Sequence, residues 1–353
     1  MNTTVANIRV LGIHSLIMKK RKVNFFDIQE YITGLIKKKG GWVNCHAHID
    51  RAYTVTQKNF HLYHAVLSEK WNLVDAMKRK SSVNDIYDRM AVAVENMISQ
   101  NVSALGTFID VDETVKDKAI LAAMKIREKY KKDIKIIYIN QVLKGVLEPK
   151  AREWFDVAVQ FVDIIGGLPG KDKGHEEKHL EVLLSTAKTL KKMVHVHVDQ
   201  LNTVTESETE LLVKKTKEFG MEGKVVGIHG ISIAAHPKHY RDTLYKSMKK
   251  AGVMMISCPT AWIDNRRSEE LAPTHNAITP VDEMVPAGVI VGLGVDNICD
   301  IYVPHIDGSM WSELHLLMAA ARFTDIEQLV KIATVNGRKV LGLMENSSNL
   351  PIK

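Results

Sequence analysis

The chain has 353 residues, 45% of them hydrophobic and 25% charged, with a net charge of +7. That composition suits one large domain with a sizeable buried core and excludes a disordered or fibrous chain. No apolar run reaches the roughly 20 residues of a membrane span. The stretch 5–18 is broken by Arg9 and His14, and the basic run 19–22 follows it, so a signal peptide is not expected. Cys45, Cys258 and Cys299 are isolated and read as reduced, buried thiols of a cytoplasmic protein. The lysines come in short scattered groups on or after predicted helices, with acidic residues nearby. The positive charge therefore reads as a solvated surface, with no nucleic-acid partner and no membrane.

Residues 1–40 form an N-terminal extension with room for a small strand pair and a helix-like segment at 26–38. Eight near-continuous apolar runs then follow, at 41–48, 102–109, 134–140, 163–168, 193–199, 224–229, 252–258 and 289–296. Runs of this kind are expected of strands buried on both faces. Between them lie amphipathic segments at 85–100, 114–130, 176–191, 206–219, 238–250 and, shorter, 279–286. Two more helical segments, 310–322 and 326–341, follow the last strand, and 344–353 is a polar tail. Strand-then-helix repeated about eight times predicts an α/β fold, a (β/α)8 TIM barrel over 41–343. An open doubly wound sheet is the alternative, but no glycine-rich phosphate loop follows the first strand. The long connections 49–82 and 259–279 are expected to cover the barrel mouth. Trp71, Trp262 and Trp311 are aromatic candidates for its wall.

Polar residues fall at the strand ends. His46 and His48 end the first strand, His197 the fifth, His229 the sixth and Asp296 the eighth. Barrel strand ends converge on one mouth, where catalytic groups sit. In His46-Ala47-His48 the spacing of two points both imidazoles to one strand face. A lone pair of this kind is weak, and agreement across four strands is what raises the metal reading. His46, His48, His197 and Asp296 form a donor set for one divalent ion, Zn²⁺ ahead of Fe²⁺. Such an ion lowers the pKa of a water to roughly 7. Asp296 can then serve as general base, and His229 can stabilise charge on the substrate oxygen. His195 shares the face of His197 one layer deeper and reads as a buried, hydrogen-bonded histidine. The remaining histidines read as surface or supporting groups.

Here the residues resemble the amidohydrolase superfamily, in its cytosine-deaminase-like branch, from about residue 41 to 343. The matching segments are GWVNCHAHID (41–50), INQ (139–141), IIGGLPG (164–170), HVDQ (197–200), GIHG (227–230), AITPVDEM (277–284) and GVDN (294–297). The resemblance implies His46, His48, His197 and Asp296 as metal ligands, His229 beside them, and Gln141 as a binder of a substrate amide. It implies a single ion. It also exposes two departures. Gln200 stands where deaminases place a proton-shuttling Glu, and an amide cannot carry a proton near neutral pH. Asn297 stands where a second acid follows the metal Asp. Many relatives carry a β-sandwich built from both termini, which is expected here to be reduced or absent.

The resulting expectation is a hydrolase cleaving a C–N bond of a small nitrogen-rich compound, such as a cyclic amide, amidine, pyrimidine or triazine. Asp296, His229 and Gln200 would stand at the reaction centre. Gln141, Asn297, Trp262 and Trp311 would bind substrate, and Asp199 or Asp50 would help with protons. The alternative is a metal-bound barrel that has lost catalysis and binds a ligand or partner. A homo-oligomer is compatible with either.

Overall fold

The apolar runs become strands because their backbone groups pair within a sheet while side chains on both faces meet apolar neighbours. The computed structural model describes residues 26–60, 67–262 and 278–343. Its strands are β1 (Trp42–Asn44), β2 (Val102–Asp110), β3 (Lys135–Gln141), β4 (Ile165–Gly167), β5 (Val194–Val198), β6 (Val225–His229), β7 (Met254–Ser257) and β8 (Val291–Leu293). All pairings are parallel, in the order β1-β2-β3 and β4-β5-β6-β7-β8. Single bridges at Ile139–Ile164 and Ala47–Asp296 join the two runs, and the Cys45 amide donates to the Leu293 carbonyl at 2.8 Å across the second seam. The eight strands thus form the expected (β/α)8 barrel. Gly294 allows the tight seam, since a Cβ there would lie 2.7 Å from the Cβ of His46.

The helices are α1 (Ile28–Lys38), α2 (Leu67–Lys80), α3 (Val83–Ser99), α4 (Lys118–Tyr130), α5 (Pro149–Phe161), α6 (Glu176–Leu190), α7 (Glu208–Glu218) and α8 (Lys238–Ala251). The short α9 (Pro259–Trp262) and α10 (Val281–Met284) follow, then α11 (Met310–Ala320), α12 (Ile326–Ala333) and α13 (Val335–Val340). Side-chain caps define several starts. Ser82 and Asp85 form a reciprocal capping box on α3, and Glu148 caps α5 with Pro149 in its first turn.

Two helices correct the sequence reading. The α5 helix was not expected, although its buried Ala151, Phe155, Ala158 and Val159 follow helical spacing. The α2 helix lies inside the connection 49–82. The segment expected as one helix at 326–341 is broken at Thr334 (φ −135°, ψ −90°). The α1 helix buries Ile32 and Ile36 completely in the main apolar cluster. The expected strand pair before it and the polar tail 344–353 lie outside the described residues.

The barrel interior holds a second cluster that includes Val43, Cys45, Phe108, Ile139, Ile228 and Ile256, which Val340 and Leu341 join from α13 and the residue after it. Cys45 and Cys258 are buried as expected. Cys299 is a correction, because it is only half-buried on the loop after β8.

Candidate metal centre

The His-Ala-His segment lies in extended chain just past β1, which ends at Asn44, not within the strand as expected. The two rings nevertheless reach the same point. His46 Nε2 is 3.1 Å and His48 Nε2 3.0 Å from Asp296 Oδ1. The ring of His197 lies 4.9 Å from that of His46, and His229 lies 5.5 Å from both. The donor atoms of His46, His48 and His197 lie within 4.8 Å of one another, as do those of His46, His229 and Asp296. All five residues are buried.

Backbone conformation helps bring these groups together. His229 has φ +73° and Asp296 has φ +58°. Such left-handed conformations cost about 1–2 kcal/mol for an L-residue, and strain of this kind concentrates at functional sites. At His229 the turn comes at the last residue of β6. At Asp296 it is stitched to the first histidine segment, since the Asp296 amide donates to the His46 carbonyl at 3.0 Å.

The residues fit a divalent ion. Bonds of 2.0–2.1 Å in a tetrahedral site place neighbouring donors about 3.3 Å apart, close to the observed separations from Asp296 to His46 and His48. His197 Nδ1 lies 3.2 Å from the Gly167 carbonyl. A proton held there leaves Nε2 as a lone-pair donor, the usual way an outer hydrogen bond selects a ligand tautomer. Burial favours neutral rings as well. It lowers the pKa of His48 to about 3, aided by Arg51, and that of His229 to about 3. His197 is pushed well below its ordinary value by burial and by the neighbouring histidines. Burial acts to raise the Asp296 carboxyl, but hydrogen bonds from His46 and His48 outweigh it and hold the group well below the carboxylate range.

Around this cluster the other expected residues divide. Gln141 ends β3 and is buried, with its Oε1 accepting from the Val142 amide at 2.9 Å. A backbone N–H can only donate, so the Gln141 Nε2 is turned the other way. Asn297 is buried beside Asp296, and its Nδ2 donates to Asp300. Gln200 is half-buried just after β5. Trp262 ends α9, which directly follows β7.

Trp311 is a correction. It stacks on His315 along α11 and lines an outer groove with Gln29, Thr33, Trp42, Asn96 and Asn101. Trp42 and Asn101 lie at the starts of strands, so this groove opens at the opposite end from the mouth. Asp199 is a second correction. Its two carboxylate oxygens accept from the Glu208 and Thr209 amides at 2.7 and 3.1 Å. They satisfy the N-terminus of α7, whereas the sequence reading offered Asp199 as a proton carrier. Asp50 accepts from the Asp110 amide at 2.8 Å, while its Oδ1 has no partner among the described residues.

Sequence reasoning missed a buried charged wall. Lys78 of α2 pairs with Asp110 and Asp112 at 2.9 and 2.8 Å, and Arg51 pairs with Asp110 at 3.1 Å. Lys144 reaches Asp75 at 2.5 Å, and Lys70 donates to the Tyr302 carbonyl at 3.2 Å. These contacts tie α2 to the chain after β2, β3 and β8, so the connection 49–82 does cover part of the mouth. Glu313 was also missed. It is buried on α11 and accepts from the amide and hydroxyl of Thr260. Lone charged residues in helical segments read as surface, and no sequence signal marked these.

The chain belongs to the amidohydrolase family, whose model matches residues 39–350. It is 56% identical to an uncharacterized protein of Haemophilus influenzae over 264 residues, 74% of this chain and 96% of that protein. It is 24% identical to the N-isopropylammelide isopropyl amidohydrolase of Pseudomonas sp. strain ADP, over 87% of this chain and 75% of that enzyme. Among solved structures, 5-methylcytosine deaminase from Klebsiella pneumoniae liganded with phosphonocytosine superposes with a TM-score of 0.80 at 21% identity, covering 86% of this chain and 76% of that one. N-isopropylammelide isopropylaminohydrolase from Burkholderia multivorans superposes at 0.72 and 20% identity, covering 86% and 75%. No helix among the described residues is long and apolar enough to cross a membrane.

Proposed function

We propose that the protein is a metal-dependent hydrolase that cleaves an exocyclic C–N bond of a small nitrogen-rich ring, of pyrimidine or triazine type. The observation that carries this reading is the convergence of His46, His48, His197 and Asp296 at one buried point, with His229 beside it. His46, His48, His197 and Asp296 would hold one divalent ion, Zn²⁺ ahead of Fe²⁺. When bound it would lower the pKa of a water and supply hydroxide near neutral pH.

The chain's own groups supply the rest. Asp296 can accept a proton at Oδ2, the oxygen facing His229 at 3.8 Å. His229 is neutral and can donate or accept a hydrogen bond at the substrate carbon's oxygen. Gln141 and Asn297 would orient the ring. Gln200 can only donate or accept a hydrogen bond, so it cannot serve as a proton carrier. Asp199 is occupied at α7. Asp50, unlike Asp199, retains an oxygen with no hydrogen-bond partner among the described residues.

The similarity to enzymes named for isopropylammelide and for 5-methylcytosine supports this substrate class. The similarity to the isopropylammelide enzymes favours substrates that lose an alkylamine, and Gln200, which cannot carry a proton, argues against cytosine itself. The test is metal analysis of the purified protein, followed by amine-release assays on aminotriazines, alkylaminotriazines and cytosine. One ion per chain and release of alkylamine are expected, with negligible turnover of cytosine. Robust deamination of cytosine by the unmodified chain would overturn the role given to Gln200. A protein that binds no divalent ion would overturn the metal reading.

A further inference from the structure

Asn297 follows the candidate ligand Asp296, where the sequence comparison led to expect an acid. The structure shows an acid three residues further on. Asp300 is buried and its Oδ1 accepts from the amides of Tyr302 and Val303 at 2.9 and 3.3 Å. Its Oδ2 accepts from Asn297 Nδ2, and the Arg51 guanidinium lies 3.9 Å away. Arg51 is itself held by Asp110, which also binds Lys78. The chain of contacts runs from Lys78 of α2 through Asp110 at the end of β2 and Arg51 in the loop after β1 to Asp300 and the residue beside Asp296.

Polarity fixes the geometry of this pair. Burial pushes the Asp300 carboxyl up to about 6, with Arg51, the Asn297 amide and two backbone amides acting against it, and both of its oxygens accept hydrogen bonds. Asn297 must therefore give its NH₂ to Asp300, which leaves Oδ1 as its outward atom. The amide also ties down the turn that begins at Asp296, whose left-handed backbone has little intrinsic preference for its position. Charge alternates along the contacts that lead to the pair, from Lys78 to Asp110, Arg51 and Asp300. A carboxylate at 297 would face Asp300 directly and break that alternation.

The geometry points to Asp300 as a positioning residue for the metal centre. It locks the Asp296–Asn297 turn through the Asn297 amide and takes the acidic place that position 297 lacks. This inference rests on the reading of Asp296 as a metal ligand. It also changes the meaning of Asn297, which becomes half of an exchanged Asn/Asp pair in place of a lost acid.

The test uses the full chain stripped of metal and titrated with Co²⁺, which reports ligand geometry through its visible absorption. Asn297→Asp and Asp300→Asn are each expected to weaken Co²⁺ binding about tenfold or more and to alter its spectrum, the range typical of outer groups that orient ligands. The exchanged double variant, carrying both changes, is expected to recover most of the affinity and the native spectrum. Additive losses in the double variant would overturn the inference. So would variants that lose thermal stability but keep native affinity and spectrum, because Asp300 would then serve only the loop 300–303. If Asn297→Asp does not fold, Asn297→Ser, Asp300→Ser and their combination form a second cycle, in which a double loss no larger than the greater single loss supports the inference and additive losses overturn it. Failure of the unmodified chain to bind Co²⁺ at all would overturn the metal reading instead, which separates the two ideas.

Discussion

The two ends of the barrel interior are equally buried and chemically opposite. At the end where the strands begin, Val43, Ile137, Val226 and Met254 pack with Val340 and Leu341. At the other end lie four histidines, several carboxylates and the amides of Gln141 and Asn297, drawn from strand ends and the segments that follow them. His195 and His197 mark the border on one strand. Both are buried and both face the barrel axis. His195 Nε2 meets the Val340 carbonyl at 2.9 Å, so the ring is answered by one backbone group of the closing helix. His197 uses Nδ1 on a carbonyl and turns its other nitrogen to the donor cluster. Burial does not separate a structural histidine from a candidate ligand. What separates them is whether the second nitrogen meets other donors.

Substitution should divide the two histidines sharply. His197→Ala should reduce metal content from one ion per chain to near zero, with hydrolytic activity falling about a thousandfold or more. His195→Ala should keep its metal and lose stability of about 1–3 kcal/mol, the scale of a buried polar contact. Metal analysis and denaturant unfolding of both proteins would read this directly. Equal metal loss in the two variants would erase the border.

The charged wall offers the next largest effect. Lys78→Met leaves Asp110 and Asp112 buried with one cation fewer. Asp110 is held at about 2 by Lys78 and Arg51 against the upward push of burial. Breaking a buried pair of this kind costs about 3–5 kcal/mol. A loss below about 1 kcal/mol in urea unfolding would show that α2 is a detachable cover with no part in the fold's stability.

Acid and alkali should probe the two groups in opposite directions. The rings of His48 and His229 have folded pKa values of about 3 against an ordinary 6.5. The unfolded chain therefore binds more protons between those values. Their contribution is complete above pH 6.5 and is lost as pH falls toward 3. Glu313 behaves inversely, because burial raises it from 4.5 to about 8. Its contribution is complete below pH 4.5 and is lost as pH rises through 8. Stability of the metal-free protein should therefore fall on both sides, and Glu313→Gln should flatten the alkaline side alone. An unchanged alkaline limb in that variant would place the loss elsewhere.

The smallest effect belongs to Asp199. Its replacement by Ala should cost about 1–2 kcal/mol through the α7 cap while leaving metal content intact. Loss of metal in that variant would return Asp199 to the reaction centre.

The sequence by itself determined the class of fold and the ligand candidates. Strands covered on both faces must be apolar throughout, so all eight were legible as runs, and polar residues could collect only where the runs end. His46, His48, His197, His229 and Asp296 stood out for that reason. The α5 helix was missed although Pro149 and the spacing of its buried residues announced it. The α2 helix offers little periodicity, since Val74 and Lys78 are its buried side chains among those described. Tertiary structure alone decided what each remaining polar residue does. Asp199 turns to a helix end, Trp311 to the opposite end of the barrel, and Asp300 to Asn297. Lys78, Arg51 and Glu313 become buried charges through partners 34, 59 and 53 residues away in the chain, and Arg51 also meets Asp300. Hydrophobic periodicity is a local property and survives in one dimension. The partner of a buried charge is set by which strand ends and connecting segments the closed barrel brings together, and that is a property of the fold.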